Sequence, residues 1–103
     1  MTIRTMTGHG WGAGKKYIYF VREPSSGAIK IGAALRPASR VKAIQVYNPN
    51  PIELLVVVAQ TKRFGERALH RRFRSSRLHG EWFRPTPKLL SLVERLLGKA
   101  LDR

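Results

Sequence analysis

The residues that most directly suggest chemistry are a carboxylate and an imidazole one helical turn apart, Glu66 and His70. Their spacing with Leu69 and Phe73 predicts a helix over 61–77, whose apolar side chains face the core and carry Glu66 and His70 to the same side or its margin. A carboxylate there could bind a hard cation such as Mg²⁺, which would neutralise phosphate charge, whereas histidine is the weaker ligand. The alternatives are a carboxylate paired with an arginine and a hydrogen-bonded core histidine.

A basic face on the same predicted helix points to a nucleic-acid backbone. It is formed by Arg63, Arg67, Arg71 and Arg74. The whole chain has 20 lysines and arginines against six acidic residues, a formal net charge of +14. Such an excess repels itself unless an acidic partner is near, and arginine is well suited to bidentate phosphate contacts. We therefore expect a nucleic-acid backbone as partner. The residues expected to contact it are Arg36, Lys42, Arg63, Arg67 and Arg71.

A β-hairpin is predicted near the start of the chain, where two β-prone runs, 17–22 and 28–32, flank a turn-rich segment. We place Phe20 opposite Ile29, with a four-residue loop. One face of the hairpin is then wholly apolar, whereas a slip of one residue would expose that face to a lysine.

This register makes Tyr19 and Lys30 cross-strand neighbours on the less apolar face, beside Gly32, which leaves room for another group to approach. A helix predicted over 37–47 follows. One of its faces is formed by Arg40, Val41, Ile44 and Tyr47. Arg40 either extends its charged group to water or points across the sheet face towards Tyr19 and Lys30, and the sequence leaves both open.

The remaining segments predict packing elements. A run that is apolar on both faces, 52–60, indicates a central strand covered on both sides, which joins the hairpin in a three-stranded sheet. Segment 78–84 is interpreted as a turn followed by an aromatic pair that closes the core. A last helix is expected to begin at 86–87 and to end at Gly98. The predicted fold class is α/β (α+β), with a small, three-stranded, mainly antiparallel sheet flanked by helices.

Composition sets the domain organisation and compartment. Residues 1–16, with alternating glycines, are expected to form a flexible tail, and 17–103 a single domain. The longest purely apolar run, 54–59, is far too short to span a bilayer, and we expect no secretory signal. The absence of cysteine excludes disulfides and zinc–thiolate sites. We therefore expect a cytoplasmic protein with no membrane partner.

The ordered motifs resemble those of a known nuclease family. They are Tyr17-Ile18-Tyr19, Lys30-Ile31-Gly32, Arg40, Glu66 with Leu69-His70 and Phe73, and Gly80-Glu81-Trp82-Phe83. Together, over residues 17 to about 92, they resemble the GIY-YIG endonuclease superfamily. The resemblance is to its compact branch, found in phages and in the meiotically up-regulated gene family and often catalogued as a DNA-binding domain. The departures are Tyr17 for the first glycine, Lys30 for the second tyrosine, and no asparagine after Glu66.

The resemblance implies that the nucleic-acid partner is DNA, bound through its backbone with low intrinsic sequence specificity. It implies a DNA endonuclease that hydrolyses phosphodiesters with a single Mg²⁺ or Mn²⁺ ion. Tyr19 would act on the attacking water, as general base or through a hydrogen bond. Glu66 would bind the metal, and Arg40 would bind the scissile phosphate. Lys30 would add positive charge to the pentavalent state.

Tyr17 and His70 are auxiliary candidates for this site. The rival interpretation is a DNA- or RNA-binding module that keeps the fold but does not cut, and a third is a basic ribonucleoprotein component. The charge supports binding in each case, since backbone contacts weaken steeply with added salt whether or not cleavage follows. The sequence leaves the oligomeric state open.

Overall fold

A computed structural model of the chain describes residues 15–101. In chain order the elements are β1 (Tyr17–Arg22), β2 (Ile29–Ala34), α1 (Pro37–Val46), β3 (Glu53–Ala59), α2 (Glu66–Arg72), a 3₁₀ turn (Arg74–Ser76), β4 (Arg77–His79), β5 (Trp82–Phe83) and α3 (Pro87–Leu101). The tail predicted over 1–16 lies outside the described residues except for its last two. Within 15–101, no helix combines the length and the apolar character needed to cross a membrane.

The strands form one antiparallel sheet in the order β3-β1-β2-β5-β4. The predicted α+β class is confirmed, but the three-stranded sheet is wrong, because segment 78–84 contributes to a short β4–β5 hairpin as well as a turn. β4 has three residues and β5 has two, too few for an alternating pattern to be read.

β3 is also not the central strand. Its residues 54–58 are buried on both faces, as predicted, yet within the described residues it pairs only with β1. An apolar run indicates that side chains pack on both faces of a strand. It does not indicate that another strand pairs along each of its two edges.

Helices cover both faces of the sheet, and alternate residues of β1 serve the two layers. Ile18 and Phe20 pack with α2 and α3, in the cluster that contains Leu69, Phe73 and Leu89. On the opposite face lies the cluster of Tyr17, Tyr19, Val21, Val41, Ile52, Leu54 and Val57, against which α1 packs. The apolar hairpin face predicted from the sequence is therefore confirmed. Of the aromatic pair expected to close the core, Phe83 is buried, whereas Trp82 is only partly buried.

The register of the β1–β2 hairpin differs from the prediction by two residues. Phe20 lies opposite Ile31, and Tyr19 lies opposite Gly32. A two-residue shift keeps every side chain on its face, so the apolar pattern fits both registers equally well. The loop is six residues long, 23–28, and the backbone N–H of Glu23 donates to the carbonyl of Ala28.

The start of α1 was predicted correctly, but the start of α2 and the end of α3 were not. α1 begins at Pro37, as expected. α2 begins at Glu66 and not near residue 61, because 61–64 form a turn in which the Phe64 N–H donates to the Thr61 hydroxyl (2.9 Å) and the Thr61 N–H to the Phe64 carbonyl. Arg63 is therefore outside the helix. α3 continues past Gly98, since that residue is exposed and a glycine alone does not end a helix.

Candidate active site

The phenol of Tyr19 lies directly across Gly32. Tyr19 is buried in the middle of β1, and a Cβ added to Gly32 would overlap its ring carbon Cζ and its oxygen. Only glycine on the facing strand lets the ring take this path. The space predicted beside Gly32 is therefore occupied by Tyr19 itself, which becomes the diagonal rather than the direct neighbour of Lys30.

Arg40 hydrogen-bonds the oxygen of this phenol. Of the two positions that the sequence left open, the side chain takes the one that points across the sheet face to Tyr19. A guanidinium has donors only, so the phenol oxygen accepts this bond and can still donate its own hydrogen to another group. Arg40 also remains exposed, which leaves donors available for an external anion.

The phenol of Tyr19 keeps its proton at neutral pH. Burial raises its pKa above the ordinary tyrosine value, and the negative charges of Glu81 and Glu66 raise it further, against the lowering effect of Arg40. A neutral phenol is a poor base, but it can orient a water molecule or donate to a phosphate oxygen. Of the two roles that the resemblance implied for Tyr19, this environment favours the hydrogen bond.

Glu66, His70 and Glu81 form a cluster beside β2, between α2 and the turn that precedes β5. One potential ligand atom from each lies within 4.8 Å of the other two. The peptide of Ile31 positions two of them, since its N–H donates to the Glu81 carbonyl (3.0 Å) and its carbonyl accepts from His70 Nε2 (2.8 Å). Glu66 is the first residue of α2, where its own N–H donates to the side chain of Gln60 (3.2 Å).

The bond to Ile31 determines which nitrogen of His70 is available. A carbonyl can only accept, so Nε2 carries the hydrogen and, in the neutral ring, Nδ1 keeps the lone pair. A histidine that donates one N–H to a backbone carbonyl is the usual arrangement for a metal ligand. The predicted alternative, a hydrogen-bonded core histidine, is right about the hydrogen bond but wrong about the core, because His70 is only half-buried.

The carboxyl groups of Glu66 and Glu81 shift each other's pKa in opposite directions. Burial raises the pKa of Glu66, and the hydrogen bond and negative charge of Glu81 raise it further. Burial also acts to raise the pKa of Glu81, but the hydrogen bond from Glu66 and the charge of Lys30 bring it below the ordinary value. Two carboxyl groups this close need a proton or a cation between them. Two carboxylates and an imidazole suit a small divalent ion.

Lys30 connects this cluster to the α1 side of the sheet. Its ammonium lies 3.2 Å from Glu81 Oε1 and 5.5 Å from the ring centroid of Trp82, its cross-strand partner. Lys30 and Arg40 both line a cleft of about 330 Å³ between α1 and the sheet. Of the four predicted catalytic residues, Tyr19 contacts Arg40 and is close enough to Glu66 for that carboxylate to raise its pKa. The fourth, Lys30, contacts Glu81.

The remaining predicted residues divide between two surfaces. Arg67 and Arg71 line a second cleft, of about 360 Å³, which also contains Glu66 and Lys16. Arg36 and Lys42 are exposed at α1, and Arg63 is exposed in the loop before α2. Tyr17 is buried in the cluster under α1.

Sequence reasoning missed Glu81 as a site residue. The sequence offered one signal, that Glu81 is one of only six acidic residues, but it did not show which side chains Glu81 would lie beside.

A family model, that of the T5orf172 domain, matches residues 16–102. The predicted membership of the GIY-YIG superfamily is therefore wrong: the matching model describes a distinct family, related to HNH- and GIY-like phage-associated domains, and no GIY-YIG family model matches. The resemblance rested on short motifs that departed from the pattern at Tyr17 and Lys30. No curated protein and no solved structure gives a significant match to the chain.

Proposed function

We propose that this chain, which belongs to the T5orf172 domain family, is a metal-dependent DNA endonuclease that hydrolyses phosphodiester bonds. One observation carries the proposal: two carboxylates and an imidazole meet within 4.8 Å, in electrostatic reach of a buried phenol that is hydrogen-bonded to an exposed arginine. Titratable groups with perturbed pKa values that are gathered beside cations are typical of catalytic sites.

Glu66, Glu81 and His70 are the residues that would hold a single divalent ion. Such an ion stabilises the charge that develops on a phosphoryl group and its leaving oxygen. The nitrogen donor of His70 makes Mn²⁺ at least as suitable as Mg²⁺, since Mg²⁺ favours all-oxygen surroundings.

The protein's own cations would hold the phosphate. Arg40 can use the donors not engaged with Tyr19 to bind two phosphate oxygens, and Lys30 adds a second positive charge on the same side. Tyr19 orients the attacking water or donates to a phosphate oxygen. Such fixed donors act most strongly on charge that appears only in the transition state. Contacts to phosphates carry no base information, so sequence specificity would be low.

Nicking of supercoiled plasmid, with Mg²⁺, with Mn²⁺ and with EDTA, tests this function. We expect metal-dependent nicking that falls about a hundredfold or more in Glu66→Gln, while DNA binding is retained, because the isosteric amide removes a ligand charge. Tyr19→Phe should lower nicking and leave the fold intact. Glu94→Gln, which removes an exposed carboxylate on α3, is the matched control and should nick like the wild type. A wild-type protein that shifts DNA in a gel but nicks under no metal would exclude the endonuclease.

The second candidate is a non-cleaving DNA- or RNA-binding module. The net charge of +14 supports it, since backbone binding needs no ion and no carboxylate. For such a module, Glu66→Gln would strengthen binding slightly by removing a negative charge, and no metal would produce nicks. In either case the absence of cysteine suits a reducing compartment, so the cytoplasm is the proposed site of action.

A further inference from the structure

The cleft between α1 and the sheet has features that the hydrolysis of a phosphodiester does not require. Its volume is about 330 Å³, which is within the range of ligand pockets. Two cations line it, Lys30 and Arg40. Two aromatic side chains, Tyr47 and Trp82, also line it, and the remaining walls are Ala43, Ile44 and Asn48.

Tyr47 is the unusual member of this lining. Helical spacing predicted it on the inward face of α1 with Val41, which is fully buried, but Tyr47 is 88% exposed. It directly follows the last turn of α1, where its backbone N–H donates to the Ile44 carbonyl and fixes the main chain. An aromatic ring held at the mouth of a cationic cleft offers a flat apolar surface that the fold itself does not cover.

Trp82 lines the cleft from β5. Its ring is half-buried and is fixed by pairing with Lys30, whose ammonium lies 5.5 Å from the ring centroid. The cleft thus combines an exposed aromatic ring, a half-buried aromatic ring and two cations. Aromatic faces beside cations are the combination with which proteins bind single-stranded nucleic acids, since every base has a π-face and every nucleotide a phosphate.

We infer that this cleft binds one unpaired nucleotide of a DNA strand, with its base stacked on Tyr47 and its phosphate at Arg40. The inference rests on the proposed function only in placing the scissile phosphate at Arg40. Within a duplex both faces of a base are covered by neighbouring bases, so stacking on Tyr47 requires a base that is unstacked or in a single strand. The substrate class that follows is DNA with an unpaired nucleotide beside the cut.

Binding in EDTA tests the inference without any cleavage. The probes are a fluorescently labelled oligo(dT) strand and a duplex of the same length, at one fixed salt concentration. Tyr47→Ala should weaken binding of the single strand by about fivefold or more, the lower end of what one base–aromatic stack contributes, and leave duplex binding unchanged. Tyr47→Phe keeps the ring and should bind like the wild type.

Val46→Ala is the matched control, because Val46 is the adjacent residue of the same helix, 78% exposed, and does not line the cleft. It should change neither affinity. Equal losses on single strand and duplex in Tyr47→Ala, or no loss on either, would overturn the subsite. The two proposals fail separately: a wild-type protein that binds single strands through Tyr47 but never nicks plasmid would remove the endonuclease and keep the subsite.

Discussion

At residue 32 a single missing Cβ determines where the phenol of Tyr19 can lie. Gly32→Ala should destabilise the fold by about 1–3 kcal/mol, the cost of overpacking a filled site, because the new methyl group would overlap the ring. The free energy of unfolding, measured by urea denaturation, gives this cost directly. Any nicking should fall as well, since the ring must move from its position beside Arg40.

Introducing Gly32→Ala into Tyr19→Ala tests whether the contact with the ring causes this loss of stability. In Tyr19→Ala the ring is absent, so Gly32→Ala should add almost nothing to the loss already caused, and the double-mutant cycle should show a coupling of about 1 kcal/mol or more. Gly98→Ala is the contrasting change, at an exposed helical glycine with no atom within 4 Å of the added Cβ, and it should stabilise by up to about 1 kcal/mol. An undiminished cost in the Tyr19→Ala background would show that the close contact is not the cause.

The structure adds Glu81 to the residues predicted for the site. If it is a ligand, Glu81→Gln should weaken Mn²⁺ binding about tenfold or more, since one of two carboxylates is lost from the cluster. Isothermal titration calorimetry with Mn²⁺ measures this independently of nicking. Glu94→Gln removes the same charge elsewhere and should bind Mn²⁺ like the wild type. Equal affinities for Mn²⁺ in wild type and Glu81→Gln would leave Glu81 as a counter-ion of Lys30 only.

At the scale of elements, the β1–β2 loop sets the register that the apolar pattern left undetermined. The carboxylate of Glu23 accepts from the Ser25 N–H (2.8 Å), the Ser25 hydroxyl and the Ser26 hydroxyl (2.8 Å), and Gly27 takes a φ of 79°. These contacts close a six-residue loop and thereby place Tyr19 opposite Gly32. A four-residue loop would have set Tyr19 against a lysine.

These hydrogen bonds give the loop a pH-dependent contribution. Hydrogen bonds from Ser25 and then Ser26 lower the pKa of Glu23 below its ordinary value, so the folded state favours the charged form. The resulting stability is present above the ordinary glutamate pKa and is lost as the pH falls through the lowered value. Glu23→Gln should therefore be less stable than the wild type at neutral pH, and the difference should vanish in acid.

Urea denaturation over a pH series measures that difference. In a Ser25→Ala/Ser26→Ala background the side-chain donors are gone, so most of the effect of Glu23→Gln should disappear. A difference that persists unchanged in acid would mean that the charge of Glu23 contributes nothing to the loop.

Most residues of the candidate site could be named from the sequence. The two errors, at Glu81 and Tyr47, lie where secondary structure was not predicted correctly. Strand periodicity placed Tyr19 and Lys30 on the same face of the hairpin, and helical spacing left Arg40 a position from which it reaches Tyr19. Glu81 could not be placed, because it lies between β4 and β5, two strands too short to leave a periodic pattern. Tyr47 was assigned to the wrong side, since α1 ends just before it and its helical phase no longer applies.

On the scale of the whole molecule, the positive charge surrounds the acidic cluster on two sides. One cationic surface is the cleft of Lys16, Lys62, Arg67 and Arg71 beside α2, and the other contains Lys30 and Arg40 below α1. A DNA backbone that contacts both surfaces would pass over Glu66 and Glu81. The acidic cluster alone would repel phosphates, so the flanking cations are what make the approach of a DNA backbone favourable.

The α2 cleft can be tested as part of that path by the salt dependence of DNA binding. Arg67→Gln/Arg71→Gln removes two charges, and if both contact phosphates the slope of log K against log salt should become shallower by about 1.8, with affinity lowered alike for all sequences. The double variant Arg95→Gln/Lys99→Gln removes the same charge from exposed positions of α3. Long-range attraction would weaken equally in both proteins, but only true phosphate contacts release counterions, so the α3 variant should keep the wild-type slope. Equal slopes in the two double variants would show that DNA responds to the overall charge of the protein and does not follow the α2 cleft.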